Sequence, residues 1–484
     1  MTAPAETSSC CATPSANADT QAIDASCRWP VLGLFKGASV WLVVSSFFGI
    51  IASLKFHKAT MFADCAWFSY GRAYAVWENA LVYGFCVPSA LAVGVWLIAR
   101  LGRVKLCCPV VLTAGAKLWH IGVFIGLLGI LYGDSTGYEW LELPRYSMAV
   151  LLGSFLLMSI CALVTHARRT ERALHPSHWF TLAALFWFPW ILSTAFMLLQ
   201  LYPVRGVAQA AIAWWYSGNL LVVWLSLAGL GATFYFLPKL AERPLQSSHT
   251  AHFIFWTLIL FGTWVGIPGG AALPAWMPSL SASASLMLLV PAVAIAFCVW
   301  QTAGGSQVKC NGGPLCYTKF GGTSLALSLV LLALTGIPQI ERVTNFTWFN
   351  HGHTTLRLYS FFAMTMFAAA YHILPRVTGA SICPHRIRIH FFLAMPGSLL
   401  MTLPLVVGGA LQGVKLLNPE TTFLDASKSA LMAFRITSVG EILFAAGAVV
   451  FLVNVTLVLF KTLYSGCKTT CCDSANLKCA EVKA

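Results

Sequence analysis

The residues best suited to chemistry are two histidines, His351 and His353, in the stretch NFTWFNHGHTTLRLYSFFAMTMFAAAYHILPRVTG. They begin an apolar run in which Arg357 is the only charge between Thr354 and Leu374, so this run can cross a bilayer as a helix. Residues two apart on a helix are rotated by about 200°, which places the two imidazoles on opposite faces. Imidazole is a standard ligand of haem iron, so the pair predicts one haem ligand on each face. A histidine at a membrane helix end can equally be an interfacial residue without a metal, and this alternative stays open.

The composition indicates what kind of element carries this pair. Of 484 residues, 58% are hydrophobic and only 10% are charged, whereas charged residues make up about 25% of a soluble domain. The composition therefore predicts a polytopic helical membrane protein. Its net charge of +14 is explained by basic loops at one membrane face and by contact with anionic headgroups. We expect lipid, and no nucleic acid, among its partners.

Hydropathy predicts an all-α, polytopic membrane protein with twelve transmembrane helices in one domain. We expect residues 1–35 to be a disordered cytoplasmic tail, residues 36–462 to form the membrane domain, and residues 463–484 to be a cysteine-bearing cytoplasmic tail. The predicted spans are 38–55, 75–99, 112–132, 147–165, 179–201, 209–237, 252–272, 283–302, 321–340, 354–375, 390–412 and 433–460.

Basic residues in the loops predict the orientation. Lys and Arg mark the cytoplasmic side of a membrane, and here they concentrate in the loops that follow the even-numbered spans. We therefore expect both termini inside the cell and His351 and His353 near the outer face of the membrane. The basic loop residues are Arg100, Arg103, Lys105, Arg168, Arg169, Arg172, Lys239, Arg243, Lys309, Lys319, Arg376, Arg386 and Arg388.

The Asn-His-Gly-His opening of this helix and its Tyr-His-Ile-Leu-Pro-Arg close resemble helix ten of the haem–copper oxidase superfamily, most closely the cbb3-type subunit I. Residues 68–85, 214–244 and 252–276 resemble helices two, six and seven of the same family. The resemblance implies that His351 holds the oxygen-reducing haem and His353 the electron-transfer haem, both b-type. It also implies partners among other respiratory-complex subunits, including a c-type cytochrome.

Several ligand positions of that family lack histidine in this chain. Gly218 stands where the first copper ligand belongs, and Gly269 and Gly270 stand where helix seven carries a histidine pair. Trp77 replaces the second histidine of the electron-transfer haem. Copper needs imidazole or sulfur ligands, and glycine offers no side chain. We therefore expect one or two haems and no copper.

These departures favour a divergent cytochrome c oxidase subunit I-like subunit of a respiratory electron-transfer complex, which binds haem but does not itself reduce oxygen. Two alternatives on the same fold stay open. One is an active cbb3-type terminal oxidase, passing electrons from cytochrome c to oxygen through replaced ligands. The other is a haem-free structural or transport protein. An unrelated transporter would leave the helix-ten motif unexplained, and whether the chain is an enzyme remains undecided.

Two other histidines are candidate substitute ligands. His57 precedes helix two on the outer side, and His120 lies within helix three, where it either binds a cofactor or bonds to a neighbouring helix. We expect His178, His372 and His390 to be solvated near the cytoplasmic side.

The chain has sixteen cysteines. Most of them, including Cys310 and Cys316, fall on predicted cytoplasmic segments, so we expect no disulfide framework. The cysteines of the C-terminal tail suit either a soft metal ion, lipid modification or no role at all. These are Cys467, Cys471, Cys472 and Cys479.

Overall fold

The structure is a computed structural model that describes the backbone of residues 14–481 and the side chains of residues 19–464. The regular elements of the described backbone are all helices, and it contains no strand, as the all-α prediction requires. Short helices at Ala66–Phe68, Pro338–Thr344 and Phe423–Lys428 connect the long ones. The long helices are α1 (Pro14–His57), α2 (Tyr70–Leu101), α3 (Pro109–Tyr132), α4 (Arg145–Ala167), α5 (Pro176–Leu201), α6 (Val207–Ala241), α7 (Ser248–Gly262), α8 (Trp276–Gly304), α9 (Pro314–Leu334), α10 (Trp348–Thr378), α11 (Pro384–Leu416) and α12 (Leu431–Glu481).

Eleven of the twelve predicted spans are long and apolar enough to cross a membrane. The exception is the predicted span 252–272, whose helix α7 ends at Gly262. Beyond it, Gly266 and Gly270 have φ angles of +123° and +80°, in the left-handed region that favours glycine. Pro268, between them, has no N–H to continue a helix. The local chemistry of these residues therefore ends α7 early although their hydropathy favours a span.

The first helix begins earlier than the sequence predicted. We expected a disordered tail through residue 35, but residues 19–35 belong to α1, and Cys27 and Phe35 are buried. The Arg100 guanidinium lies 3.1 Å from the Asp24 carboxylate, which ties α1 to the end of α2. Residues 1–13 and the side chains of the C-terminal cysteine group lie outside the described part of the chain.

Three helices form the centre of the bundle. The most apolar windows of α2, α6 and α10 are 94%, 94% and 89% buried, whereas those of the other spans are 39–67% buried. Each central helix contains a π-helical stretch, at Ala80–Cys86, Asn219–Trp224 and Leu356–Ala363. Such stretches shift the register of side chains and occur often at functional sites.

Glycine packing fixes the start of α10 against α11. A Cβ added at Gly352 would lie 2.8 Å from the backbone nitrogen of Val406, and one added at Gly409 would lie 2.7 Å from the Cα of Phe349. Small residues let membrane helices approach this closely. The contact holds Gly352 on α11, so its two histidine neighbours must project to either side of that contact.

We predict that Gly409→Ala lowers the thermal stability of the purified protein by about 1–3 kcal/mol, because its Cβ has no space beside Phe349. Thermal unfolding in lipid nanodiscs measures this effect. Gly153→Ala is the matched control, since nothing lies within 4 Å of the added Cβ on α4. Equal stability of the two variants would show that α10 and α11 are not packed this closely.

Candidate functional site

The two histidines stand in the first turns of α10. Thr347 caps this helix by accepting a hydrogen bond from the Phe349 N–H at 3.3 Å. On the α9 side, the Ser328 hydroxyl donates to the His353 carbonyl oxygen at 2.8 Å. With Gly352 held on α11, His351 faces α2 and His353 lies on the side of α9. The two residues thus stand at different sides of the helix backbone, and both imidazoles border one cavity, which is described below.

His351 is enclosed by aromatic rings. The ring centroids of Trp77 and Trp348 lie 5.5 and 5.4 Å from its imidazole, and that of Tyr74 lies at 6.1 Å. Its Nδ1 is 3.3 Å from the Tyr74 hydroxyl. When Nδ1 donates to that oxygen, the lone pair of Nε2 is free for a metal, the arrangement that orients most ligating histidines.

His353 has a different environment. Its side chain is buried, and its Nδ1 has no hydrogen-bond partner among the described residues. The only ring contact of His353 in that part of the chain is with Phe349, at 5.9 Å between centroids. An unpaired buried imidazole nitrogen is costly unless a ligand or water satisfies it.

Trp77 does not occupy the place that the resemblance implies. That position should face His353, the implied electron-transfer ligand, but the Trp77 ring packs against His351. Its Nε1 donates to the Tyr359 hydroxyl at 2.7 Å. Beyond it, Phe56 stacks on Phe434 with centroids 4.2 Å apart. The space between α2, α10 and α12 is therefore filled by aromatic side chains.

A cavity of about 530 Å³ lies beside the start of α10, within the usual size range of small-molecule and cofactor sites. Its walls come from α2, α6, α8, α9, α10, the short helix Pro338–Thr344, the segment after α7 and the 133–144 loop. Both histidines line this cavity, together with Gly218 and Arg357. The two imidazoles and the unpaired His353 nitrogen fit a haem at this place, and haem would supply one-electron chemistry there when bound.

Gly218 cannot be exchanged for a metal ligand without rearrangement. A Cβ added at Gly218 would meet the carbonyl oxygen of Val265, and one added at Gly266 would lie 2.7 Å from the carbonyl oxygen of Trp214. Asn219 strengthens this contact by donating to the Thr263 carbonyl at 3.3 Å. Backbone from the end of α7 thus occupies the space of a side chain at position 218.

Positions 269 and 270 also offer no ligand. The Gly269 N–H donates to the Glu341 carboxylate at 2.5 Å, and a Cβ added there would meet the same carboxylate. Gly270 has open space around it but no side chain. Across residues 19–464 no three His, Cys, Asp or Glu side chains are grouped so that they could hold a metal ion. The residues present do not fit the copper site of the family.

The substitute histidines lie elsewhere. His57 is exposed and its Nε2 is 2.8 Å from the Ser438 hydroxyl. His120 accepts a hydrogen bond from Trp41 Nε1 at 3.2 Å and packs against Gly37. Neither residue lines the cavity.

Three expectations about polar residues were wrong. His178, His372 and His390 are buried rather than solvated. His390 Nδ1, for example, lies 2.8 Å from the Tyr371 hydroxyl. Distant helices cover these residues, which no local pattern in the sequence reports.

Cys310 and Cys316, expected as free thiols, are joined as a disulfide. The loop between α8 and α9 brings the two sulfurs together over a short sequence separation.

Sequence reasoning also missed an acidic group beside the site. Glu78 on α2 is fully buried and its carboxylate oxygens have no hydrogen-bond partner in the described residues. Its neighbour Asn79 donates to the Glu142 carboxylate at 2.7 Å. Burial raises the pKa of Glu142 to about 7, although the Asn79 bond opposes this shift. The sequence signal that could have identified Glu78 was an acidic residue within an apolar span, which in membranes is often functional.

The bundle and its paired histidines define a polytopic membrane protein of the haem–copper oxidase superfamily. The family model "Cytochrome C and Quinol oxidase polypeptide I" matches residues 30–455. The chain therefore belongs to that family.

Curated relatives and a solved structure agree with this membership. A cbb3-type cytochrome c oxidase subunit, CcoN1, from Stutzerimonas stutzeri is 26% identical over 438 residues, covering 86% of this chain and 91% of that protein. A cytochrome c oxidase subunit 1 homolog from Azorhizobium caulinodans is 24% identical over 460 residues, covering 87% and 80%. A cryo-EM structure of a haem–copper terminal oxidase dimer shares the fold, with a TM-score of 0.71 and 15% identity over 89% of this chain and 84% of that one.

We predict that Gly218→His binds no copper and lowers stability by about 1–3 kcal/mol, because the side chain must displace the Val265 carbonyl. Metal analysis and thermal unfolding of the purified variant measure both effects. Gly71→His is the control, since nothing lies within 4 Å of a Cβ at Gly71. One copper ion per chain in Gly218→His would contradict the close contact.

Glu142 should make stability depend on pH. Because burial raises its pKa from 4.5 to about 7, its contribution is complete below pH 4.5 and is lost as pH rises through 7. The loss amounts to roughly 3 kcal/mol. Thermal unfolding at pH 5 and pH 8 should show a smaller drop for Glu142→Gln than for the parent, whereas the exposed Glu420→Gln should behave like the parent. The same drop in all three proteins would remove Glu142 from this role.

Proposed function

We propose that this chain is a divergent cytochrome c oxidase subunit I-like subunit of a respiratory electron-transfer complex, which holds haem through the α10 histidines and has no copper site. The observation that carries this proposal is the backbone contact at Gly218, which leaves the cavity with two imidazoles and no third. Reduction of oxygen to water in this family depends on a second metal, so this chain does not carry out that reaction alone.

The surroundings of the two histidines favour one haem rather than two. Both imidazoles border the cavity, but the Nδ1 of His353 is unpaired among the described residues, whereas the rings of Trp77 and Trp348 pack against His351. We therefore assign one b-type haem to the cavity, with His353 as its first candidate ligand. His351, oriented by Tyr74, is the second. The aromatic wall at Trp77 excludes water from the α2 side of the site.

The remaining proposals concern location and partners. The basic loops meet at one end of the bundle. There the Thr170 N–H donates to the Gly102 carbonyl at 3.0 Å, and the Ser306 hydroxyl donates to the Ala241 carbonyl at 2.9 Å. This clustering supports a single cytoplasmic face that carries both termini, with the cavity at the outer end of a bacterial inner membrane. Other respiratory subunits, a c-type cytochrome among them, are the proposed partners, because the relatives are named as oxidase subunits.

One measurement tests this function. The protein is purified in detergent, and a reduced-minus-oxidised spectrum is recorded together with haem and copper quantitation. We expect one haem per chain, no copper and no oxygen uptake. Two haems with copper and oxygen uptake would establish an active cbb3-type oxidase instead. A chain without haem would favour the structural or transport alternative, for which the filled aromatic space around His351 provides a reason.

The ligand itself can be assigned by substitution. We predict that His353→Ala reduces the haem-to-protein ratio at least tenfold, since the imidazole of His353 would be the ligand that retains the iron. His351→Ala should have the smaller effect. His57→Ala is the control, because its exposed ring bonds Ser438 outside the cavity. A spectrum that is unchanged in His353→Ala but lost in His351→Ala would reverse the assignment.

A further inference from the structure

Arg357 is a buried cation without a counter-ion. Its side chain is only 1% exposed, and its Nη1 donates to the Leu221 carbonyl at 3.3 Å. Its Nε and Nη2 have no hydrogen-bond partner among residues 19–464. Within the same range, arginine pairs with a carboxylate only at Arg100–Asp24 and Arg103–Glu171. Guanidinium groups stay protonated in proteins, so the charge at Arg357 is permanent.

The unpaired guanidinium lines the cavity that holds the two histidines. Arg357 is one helical turn beyond His353, and its partner Leu221 is close to one turn beyond Gly218 on α6. Both residues lie in the π-helical stretches of their helices. A fixed charge at this depth is strongly unfavourable unless a polar group in the cavity compensates it.

The acidic residues of the cavity do not supply that compensation. Glu341 is engaged with the Gly269 N–H. Glu139 lies in the 133–144 loop, where it is exposed to solvent. Neither carboxylate is within 4 Å of Arg357, because no such ion pair occurs in the described chain. The cavity therefore keeps a net positive end beside α6.

We propose that Arg357 makes this cavity a binding site for a carboxylate-like oxyanion. The unpaired Nε and Nη2 are adjacent donors of one planar fork, the geometry that binds two oxygens of a carboxylate or a similar anion. The carbonyl that the guanidinium binds, that of Leu221, belongs to the residue three positions after Gly218 on α6. The Arg357 guanidinium thus provides a permanent positive charge in a cavity whose glycines have no side chain to bind a metal.

Two sources share this chemistry. The oxyanion is either a small free anion that enters the cavity, or a carboxylate on the edge of a bound haem. The inference rests on Arg357 and the cavity and does not require haem, so it can be tested on haem-free protein.

The test is a titration of haem-free protein in nanodiscs with sodium formate, against sodium chloride at equal ionic strength, with thermal unfolding as the readout. We expect a saturable rise of several degrees in the unfolding midpoint with formate, because a ligand that binds only the folded state stabilises it. Arg357→Met should abolish the rise. Arg357→Lys, which keeps the charge but loses the fork, should weaken formate binding at least tenfold. Arg205→Met is the control, because Arg205 is exposed and outside the cavity.

Loading the protein with haem separates the two sources. A formate response that survives haem loading identifies a free small anion. Loss of the response on loading, with weaker haem retention in Arg357→Met, identifies the haem carboxylate.

The inference is overturned if haem-free protein shows no saturable response and Arg357→Met retains haem as the parent does. If Arg357→Met does not fold, the Arg357→Lys comparison and a cryo-EM map of the parent with formate decide the question. A chain that binds no haem can still pass this test, so its outcome is independent of the proposed function.

Discussion

The close contact between α10 and α11 determines the arrangement of the site. Gly352 lies against the backbone and side chain of Val406 because glycine has no side chain of its own at the contact. The helical period then sets the directions in which the flanking histidines leave the backbone. His351 must face α2 and His353 must face away from it. A larger residue between the histidines would separate the helices and rotate both imidazoles, so the chemistry of the site depends on a glycine that takes no part in it.

The two sides of α10 differ in how they are packed. On the α2 side, the space is filled by aromatic side chains, namely Trp77, Tyr359 and the stacked Phe56 and Phe434. On the other side, glycine at position 218 brings α6 and the end of α7 together, yet a cavity of about 530 Å³ persists next to them. Large residues thus fill one side of α10, while glycines line a cavity on the other. This difference is the basis of the proposal of one haem rather than two.

The sequence predicted the features that depend on local periodicity. The all-α class and eleven of the spans follow from apolar runs and the helical repeat, although α10 begins at Trp348 rather than at residue 354. The sequence predictions failed where contacts with distant segments determine the structure. The helix through residues 19–35 is stabilised by contacts with α2, such as Arg100 with Asp24, and α7 ends early through glycine conformation rather than hydropathy. The solitary charge at Arg357 was visible in the sequence, but its lack of a partner depends on where α6 lies.

In the proposed function, a buried arginine rather than a copper ion supplies positive charge to the cavity. A copper ion held by neutral imidazoles brings positive charge that changes when the ion accepts an electron. A guanidinium brings a charge of one that no electron can alter, since it has no accessible redox state. Replacing the first by the second preserves attraction for anions in a low-dielectric cavity, where such attraction is strong, but removes the capacity to store an electron there. A scaffold of this family with Arg357 in its central cavity is therefore better suited to binding an anion than to sharing the reduction of oxygen with a haem.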